Sequence, residues 1–97
     1  MAAAPGDALR HVVESNYGGR ATFIQMVPVC EMHGGQTLWD GVVHVFDLKG
    51  SNSGAFRAYA WPRDRNSDNP EFFTILHSSQ VFSPVLAVRA AIIGQAG

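Results

Sequence analysis

A short helix is predicted near the start of the chain, because apolar residues recur there at helical spacing. Asp7 is a suitable N-cap, and Leu9, Val12 and Val13 follow on one side of the helix. Residues 16–19, with the sequence Asn-Tyr-Gly-Gly, end it.

A second helix is predicted near the end of the chain. Ser83 is its N-cap, Pro84 occupies the first helical position, and residues 85–93 continue it. Its only charged residue is Arg89, so its surface is apolar nearly all round and is expected to be buried on more than one side. The chain is expected to form one domain, with flexible ends at residues 1–6 and 95–97.

Between the helices, apolar residues alternate with a period of two, which predicts strands. The four predicted strands are residues 21–33, 38–48, 55–61 and 71–77. Turn-forming residues connect them, at Gly34-Gly35, at residues 49–54 and at residues 62–70. Pro28 has no N–H to donate, so the first strand is expected to be an edge strand or to be bulged. This order of elements predicts an α+β fold, a four-stranded antiparallel meander sheet with an N-terminal and a C-terminal helix.

The turns determine which residues share a face of the sheet, because side chains alternate along each strand. The predicted cross-strand pairs are His33 with Gln36, Phe23 with Phe46, Val27 with Val42, Leu48 with Ala55 and Trp61 with Phe72. One face then forms a core of Ile24, Met26, Cys30, Met32, Trp39, Val43, Val45, Phe56, Ala58, Ala60, Phe73 and Ile75.

The opposite face of the predicted sheet is also apolar, whereas a solvent-facing sheet normally carries charged residues at alternate positions. Its area is on the order of 400 Å², which matches or exceeds the apolar patch that a soluble monomer usually leaves exposed, so another element, a ligand or a second subunit is expected to cover it. Three arrangements would cover it: one helix on each face, a curved sheet around a pocket, or a homodimer joined through the sheet. The interface candidates are Phe23, Val27, Phe46, Phe72 and Leu76.

Composition excludes several classes of partner. Charged residues make up 15% of the 97 residues and hydrophobic residues 46%, which argues against disorder and for surplus apolar surface. The net charge is −1 without a basic stripe, so no nucleic-acid partner is expected. The chain has no signal-peptide pattern and no apolar run of the ~20 residues that span a bilayer, so a cytoplasmic location and no membrane partner are expected. The single cysteine, Cys30, cannot form an internal disulfide.

Three polar side chains come together in the predicted register. His44 lies opposite Tyr59, and Arg57 lies diagonal to His44. An imidazole, a phenol and a guanidinium among apolar residues could bind a small anionic or apolar ligand. The ligand-binding candidates are His44, Tyr59, Arg57 and Trp61. The alternative is a polar cluster that satisfies its own hydrogen bonds or anchors a protein interface.

Two other patterns resemble metal sites but lack the necessary ligands. Glu31, His33 and Asp40 lie near the first hairpin turn, whereas His77 is predicted on the core face, away from them. Residues 64–69 resemble a calcium loop but lack its glycine and its closing glutamate, so Asx turns explain them better. No phosphate-binding glycine loop is present, and no metal or cofactor is expected.

Three segments carry a resemblance to known sequences: residues 39–48 (WDGVVHVFDL), 58–61 (AYAW) and 83–92 (SPVLAVRAAI). They are similar to segments of a group of small uncharacterised bacterial proteins, and the resemblance covers roughly residues 30–93. It implies a soluble bacterial protein and supplies no catalytic residues.

Together these patterns predict a non-enzymatic binding or assembly module. It is expected to form a homo-oligomer through the apolar sheet face or through the C-terminal helix. The alternative is a protein that binds a small ligand, or a small enzyme, with a pocket on the sheet around His44, Tyr59 and Arg57.

Overall fold

Four antiparallel strands follow one another in the sheet, with one helix before them and one after them. The computed structural model describes residues 5–62 and 72–96. The elements are α1 (Pro5–Tyr17), β1 (Arg20–His33), β2 (Gln36–Lys49), β3 (Arg57–Pro62), β4 (Phe72–Leu76) and α2 (Pro84–Ala96). The strand order β1-β2-β3-β4 confirms the predicted α+β meander. The calcium-like run at residues 64–69 lies outside the described residues.

Both helices extend further than the sequence predicts. α1 begins at Pro5, whose fixed φ suits a first helical position, so Asp7 lies in the first turn and is not the N-cap. α2 is capped as predicted, because the hydroxyl oxygen of Ser83 accepts a hydrogen bond from the backbone N–H of Leu86 at 3.2 Å. α2 continues to Ala96. The helical residues include four that were expected in the flexible ends, namely residues 5, 6, 95 and 96.

The turn between β1 and β2 is a tight two-residue hairpin. Gly34 and Gly35 both have a positive φ, 59° and 80°, as a type I′ turn requires. His33 pairs with Gln36 on either side of the turn, as predicted.

Two bulges shift the register between this turn and the base of the hairpin. Ile24 is an extra residue on β1, and Leu38 is an extra residue on β2. Val27 therefore lies opposite Val43 and not opposite Val42, as the sequence had predicted. Because side chains alternate, β1 from residue 25 onward presents to each face the side chains predicted for the other.

The register of β3 also differs by one residue from the predicted one. His44 pairs with Ala60 instead of Tyr59, because the connection from β2 is longer than predicted and β3 begins later. This shift turns every side chain of β3 to the opposite face. A second one-residue shift, which pairs Trp61 with Phe73, returns β4 to its predicted face.

Each face of the sheet forms its own hydrophobic core under one helix. The core under α2 contains Val29, Val43, Val45, Tyr59, Trp61, Ala87, Val88 and Ala91. The core under α1 contains Leu9, Val13, Ala21, Phe46, Leu48, Ala58 and Ala60. The small side chains of Ala58 and Ala60 allow a helix to lie close to β3, as predicted, although this helix is on the other face. Of the three expected arrangements, the structure has one helix on each face.

β1 and β2 are each 14 residues long and extend beyond the other strands as a two-stranded arm, residues 25–43. In the described part of the chain, β3 pairs only with residues 44–47 of β2. α2 supports one side of the arm, where Arg89 forms an ion pair with Glu31 and Trp39 packs against the core under α2. A two-stranded hairpin is only marginally stable by itself in water, so this packing stabilises the arm.

Candidate functional site

The structure places the predicted ligand-binding residues on two different faces. Tyr59, Arg57 and Trp61 lie on the α2 side of the sheet, whereas His44 lies on the α1 side beside Phe23. Trp61 is buried there among other aromatic rings. The predicted trio of His44, Tyr59 and Arg57 is therefore wrong as a single site, and the shifted register of β3 is the reason.

Tyr59 is hydrogen-bonded to His77, which directly follows β4. The phenol oxygen of Tyr59 and Nδ1 of His77 are 2.8 Å apart. The guanidinium of Arg57 lies close to the phenol, and its Nε donates a hydrogen bond to Oδ1 of Asp47 at 3.2 Å. Asp47, Arg57, Tyr59 and His77 therefore form a polar cluster of two hydrogen-bonded pairs on the α2 side of the sheet.

The Tyr59 phenol is a protonated group that orients its neighbour. Burial raises the pKa of Tyr59, and the nearby guanidinium of Arg57 opposes that rise. The positive charge of Arg57 favours the orientation in which the phenol oxygen faces the guanidinium and the O–H points to Nδ1 of His77. A neutral imidazole that accepts at Nδ1 carries its proton on Nε2. This orientation of the phenol thus favours the form of His77 that donates from Nε2.

Sequence reasoning considered His77 only as a metal ligand and did not connect it with Tyr59. The two residues are on neighbouring strands, and the observed pairing of Tyr59 with Ile75 brings residue 77 diagonal to the phenol. The local sequence around His77 gives no sign of this contact. The signal lies only in the register of β3, which the sequence pattern did not predict correctly.

Only one of the five predicted interface residues is exposed to a large extent. Phe23 leaves 45% of its surface exposed, whereas Phe46 is buried under α1. Phe72 and Leu76 are partly buried against the same core. Val27 packs on the α2 side because the bulge at Ile24 turns the following side chains of β1 to the opposite face. The predicted apolar second face is therefore mostly covered by the protein's own first helix.

A different apolar surface is exposed on the α1 side of the arm. We call it the hairpin strip, and its members are Phe23, Met26, Pro28, Cys30, Met32 and Val42. Asp40, the partner of Cys30 on β2, is an exposed charged residue on the same side. Met26 and Met32 each leave 59% of their surface exposed. Both had been predicted in the core, and the bulge at Ile24 turns them outward. Cys30, also predicted on the core face, is an exposed free thiol.

His44 lies at the base of the hairpin strip and is buried. Its cross-strand partners are Met26 and Ala60, and its ring centroid lies 6.1 Å from that of Phe23. Among the described residues, Nδ1 of His44 has no hydrogen-bond partner. Burial lowers the pKa of His44, which favours the neutral imidazole in these apolar surroundings.

The stability of the protein is expected to fall as the pH is lowered through 6.5, the ordinary pKa of histidine. The pKa of His44 is lower in the folded state, so between the two values the unfolded chain binds more protons and acid favours unfolding. The loss ends once the pH is below the folded-state pKa. Urea unfolding at pH values on both sides of 6.5 measures this loss of stability. The variant His44→Leu should lose less stability over this interval, and an unchanged loss would contradict the assignment to His44.

Metal and membrane features are absent from residues 5–62 and 72–96. This part of the chain has no group of three or more histidine, cysteine, aspartate or glutamate side chains that could hold a metal ion. No helix within these residues is long and apolar enough to cross a membrane. No protein-family model, curated protein or solved structure matches the chain. Function is therefore inferred from the hairpin strip and from the polar cluster that includes His77.

Proposed function

We propose that the protein is a non-enzymatic binding and assembly module that forms a homodimer through the hairpin strip. The observation that carries this proposal is the exposure of six uncharged side chains on one side of the arm, which outnumber the one exposed carboxylate on that side, Asp40. The strip of one copy packs against the same strip of a second copy, which gives a closed two-fold dimer. A surface of this kind on a small protein is typical of an interaction site.

The size of the hairpin strip fits a weak dimer. Ten strand residues rise about 33 Å and two strands are about 10 Å wide, which gives about 300 Å² in plan for each copy. Apolar patches of about 300–600 Å² are the largest that soluble monomers usually leave exposed. A standard interface buries about 800 Å² on each partner, so the dissociation constant is expected in the micromolar range.

Packing between faces is favoured over addition of a strand at the free edge of β1. Pro28 lies at the centre of β1 and has no N–H, so a continuous ladder of hydrogen bonds cannot pass it. Natural edge strands use proline in this way against edge-to-edge pairing. The side chains of the strip are therefore the surface that a second copy would contact.

The C-terminal helix offers a smaller apolar surface than the arm. Ile93 leaves 72% of its surface exposed, but Ala87, Val88 and Ala91 are buried in the core under α2. A single exposed isoleucine is common on monomeric proteins and needs no partner. Of the two surfaces expected from the sequence, we therefore assign the dimer to the sheet.

Light scattering across a concentration series tests the homodimer. The mass of the wild-type protein is expected to rise from 10.5 kDa to about twice that value as the concentration increases from about 1 to 500 µM. Met26→Asp should remain a monomer over this range, because the interface would bury a carboxylate from each copy and weaken association at least about 100-fold. Met26 is exposed in the monomer, so circular dichroism should show an unchanged fold.

Ile93→Asp is the matched control, since it introduces the same charge at an exposed apolar residue outside the strip. It should dimerise like the wild type. A wild-type mass of 10.5 kDa at every concentration would overturn the proposal. Loss of the dimer in Ile93→Asp but not in Met26→Asp would instead identify α2 as the interface.

The reactivity of Cys30 gives a second measurement on the same surface. Cys30 is exposed in the single copy and lies within the strip, so a dimer would cover it. Its reaction with a thiol reagent should slow as the wild-type protein is concentrated and should stay constant for Met26→Asp. We place the protein in the cytoplasm, where the reducing conditions keep such a thiol free.

A further inference from the structure

A cleft lies at the end of the sheet where β3 begins and β4 ends, away from the hairpin strip. Its volume is about 630 Å³. Phe56 and Phe82 line it with rings that are 59% and 61% exposed, and the His77 ring lies 4.8 Å from that of Phe56. Exposed aromatic rings around an imidazole suit a flat aromatic molecule.

The polar groups of the cleft are arranged as hydrogen-bond donors. Nδ1 of His77 is bonded to the Tyr59 phenol, and Nε2 has no hydrogen-bond partner among the described residues. The Ser78 hydroxyl oxygen accepts from the backbone N–H groups of Gln80 and Val81, at 3.2 and 3.0 Å. Its O–H, like Nε2–H of His77, therefore remains available for an acceptor on a bound molecule.

The charge around the cleft also suits an acceptor. No carboxylate among the described residues lines it, and Asp47, in the polar cluster that includes His77, is already paired with Arg57. The charge of Arg57 in turn favours the orientation of the Tyr59 phenol in which His77 donates from Nε2. An anion placed at Nε2 would thus meet donors and no like charge.

We propose that this cleft binds small aromatic carboxylates, with the ring against Phe56 and Phe82 and the carboxylate accepting hydrogen bonds from Nε2 of His77 and from the Ser78 hydroxyl. Tyr59 acts as a positioning residue, because it fixes which nitrogen of His77 carries the proton. This site is separate from the hairpin strip and does not depend on the homodimer.

Titration of ¹⁵N-labelled protein with benzoate tests the proposal by NMR. Benzoate should shift the amide signals of Gly54, His77 and Ser78, with a dissociation constant in the millimolar range expected for a molecule of its size. Cyclohexanecarboxylate, which lacks the aromatic ring, and benzyl alcohol, which lacks the carboxylate, should each bind more weakly. No shifts up to about 20 mM, or shifts confined to other surfaces, would overturn the proposal.

Variants separate the role of His77 from general effects on the fold. His77→Ala should weaken benzoate binding about tenfold or more, because the hydrogen bond to a charged group is lost. His33→Ala, at an exposed histidine next to the hairpin turn, should bind benzoate like the wild type. Equal affinity in His77→Ala and His33→Ala would contradict the assigned site.

Tyr59→Phe tests the positioning role with a readout that packing alone does not change. The ¹⁵N shifts of the His77 ring should show the proton on Nε2 in the wild type and a mixture of both neutral forms in Tyr59→Phe. The same titration in Met26→Asp should give the wild-type benzoate affinity. A changed benzoate affinity in Met26→Asp would show that benzoate binds at the hairpin strip. That result would overturn the proposed cleft, whereas the homodimer is tested separately by light scattering.

Discussion

Replacement of Phe46 with alanine is expected to lower the free energy of unfolding by about 3–5 kcal/mol. Phe46 is completely buried in the core under α1, between the helix and the sheet. The substitution removes an aromatic ring and leaves a cavity between Leu9 and Val13 of the helix and the small alanines of β3, which cannot fill it. Urea unfolding is followed by circular dichroism in the Met26→Asp background, which we expect to remain monomeric, so that association does not contribute to the measured loss.

Phe23→Ala is the matched control for this experiment. Phe23 is the cross-strand partner of Phe46, and the two ring centroids are 5.9 Å apart, but Phe23 remains 45% exposed. We expect a loss of no more than about 1.5 kcal/mol, since half of the ring is already in water. Similar losses in the two variants would mean that α1 does not cover this face and that the apolar surface predicted from the sequence is open after all.

The order and type of the elements were predictable from local chemistry. Gly34-Gly35 has the φ values that only glycine adopts without strain, and Ser83 satisfies an N–H group at the start of α2. These signals depend on neighbouring residues alone. For this reason the sequence predicted the hairpin, the last helix and the meander correctly. The exact start of α1 and the end of α2 were less predictable, because the terminal turns of a helix fray and no local signal marks their last residue.

The assignment of side chains to the two faces of the sheet was less predictable, because one extra residue in a strand is enough to change it. The bulges at Ile24 and Leu38 are both apolar residues within apolar strands, so neither interrupts the hydrophobic pattern. A one-residue change in pairing exchanges the two faces of a strand. In this chain Val27 and Met26 are both apolar, so hydrophobicity alone does not show which of them faces the core.

The candidate site shows the same limit. Arg57 and Tyr59 were recognised as a pair, because they are two residues apart on one strand and must share a face in any register. Their third partner was predicted to be His44 and is His77, because the partner across strands depends on a pairing that the turn between β2 and β3 determines. Contacts within a strand are thus more predictable than contacts between strands.

Gly19→Ala is expected to destabilise the protein by about 2–4 kcal/mol, which is more than a usual turn substitution. Gly19 joins α1 to β1 with a φ of +75°, and a left-handed conformation costs alanine about 1–2 kcal/mol. A Cβ atom at this position would also lie 2.3 Å from the backbone oxygen of Lys49 and 2.7 Å from the carbonyl carbon of Gly50. These are backbone atoms, so the start of β1 would have to move away from the end of β2.

Gly35→Ala separates the two contributions, since it has a similar φ of +80° but no atom within 4 Å of an added Cβ. It should lose only the conformational part, about 1–2 kcal/mol. A domain of this size loses roughly 4–8 °C in melting temperature for each kcal/mol, so thermal unfolding resolves the two variants. If both variants melt at the same temperature, the close approach at Gly19 does not exist. The contact matters for the proposed dimer because Gly19 lies only four residues before Phe23, where the hairpin strip begins.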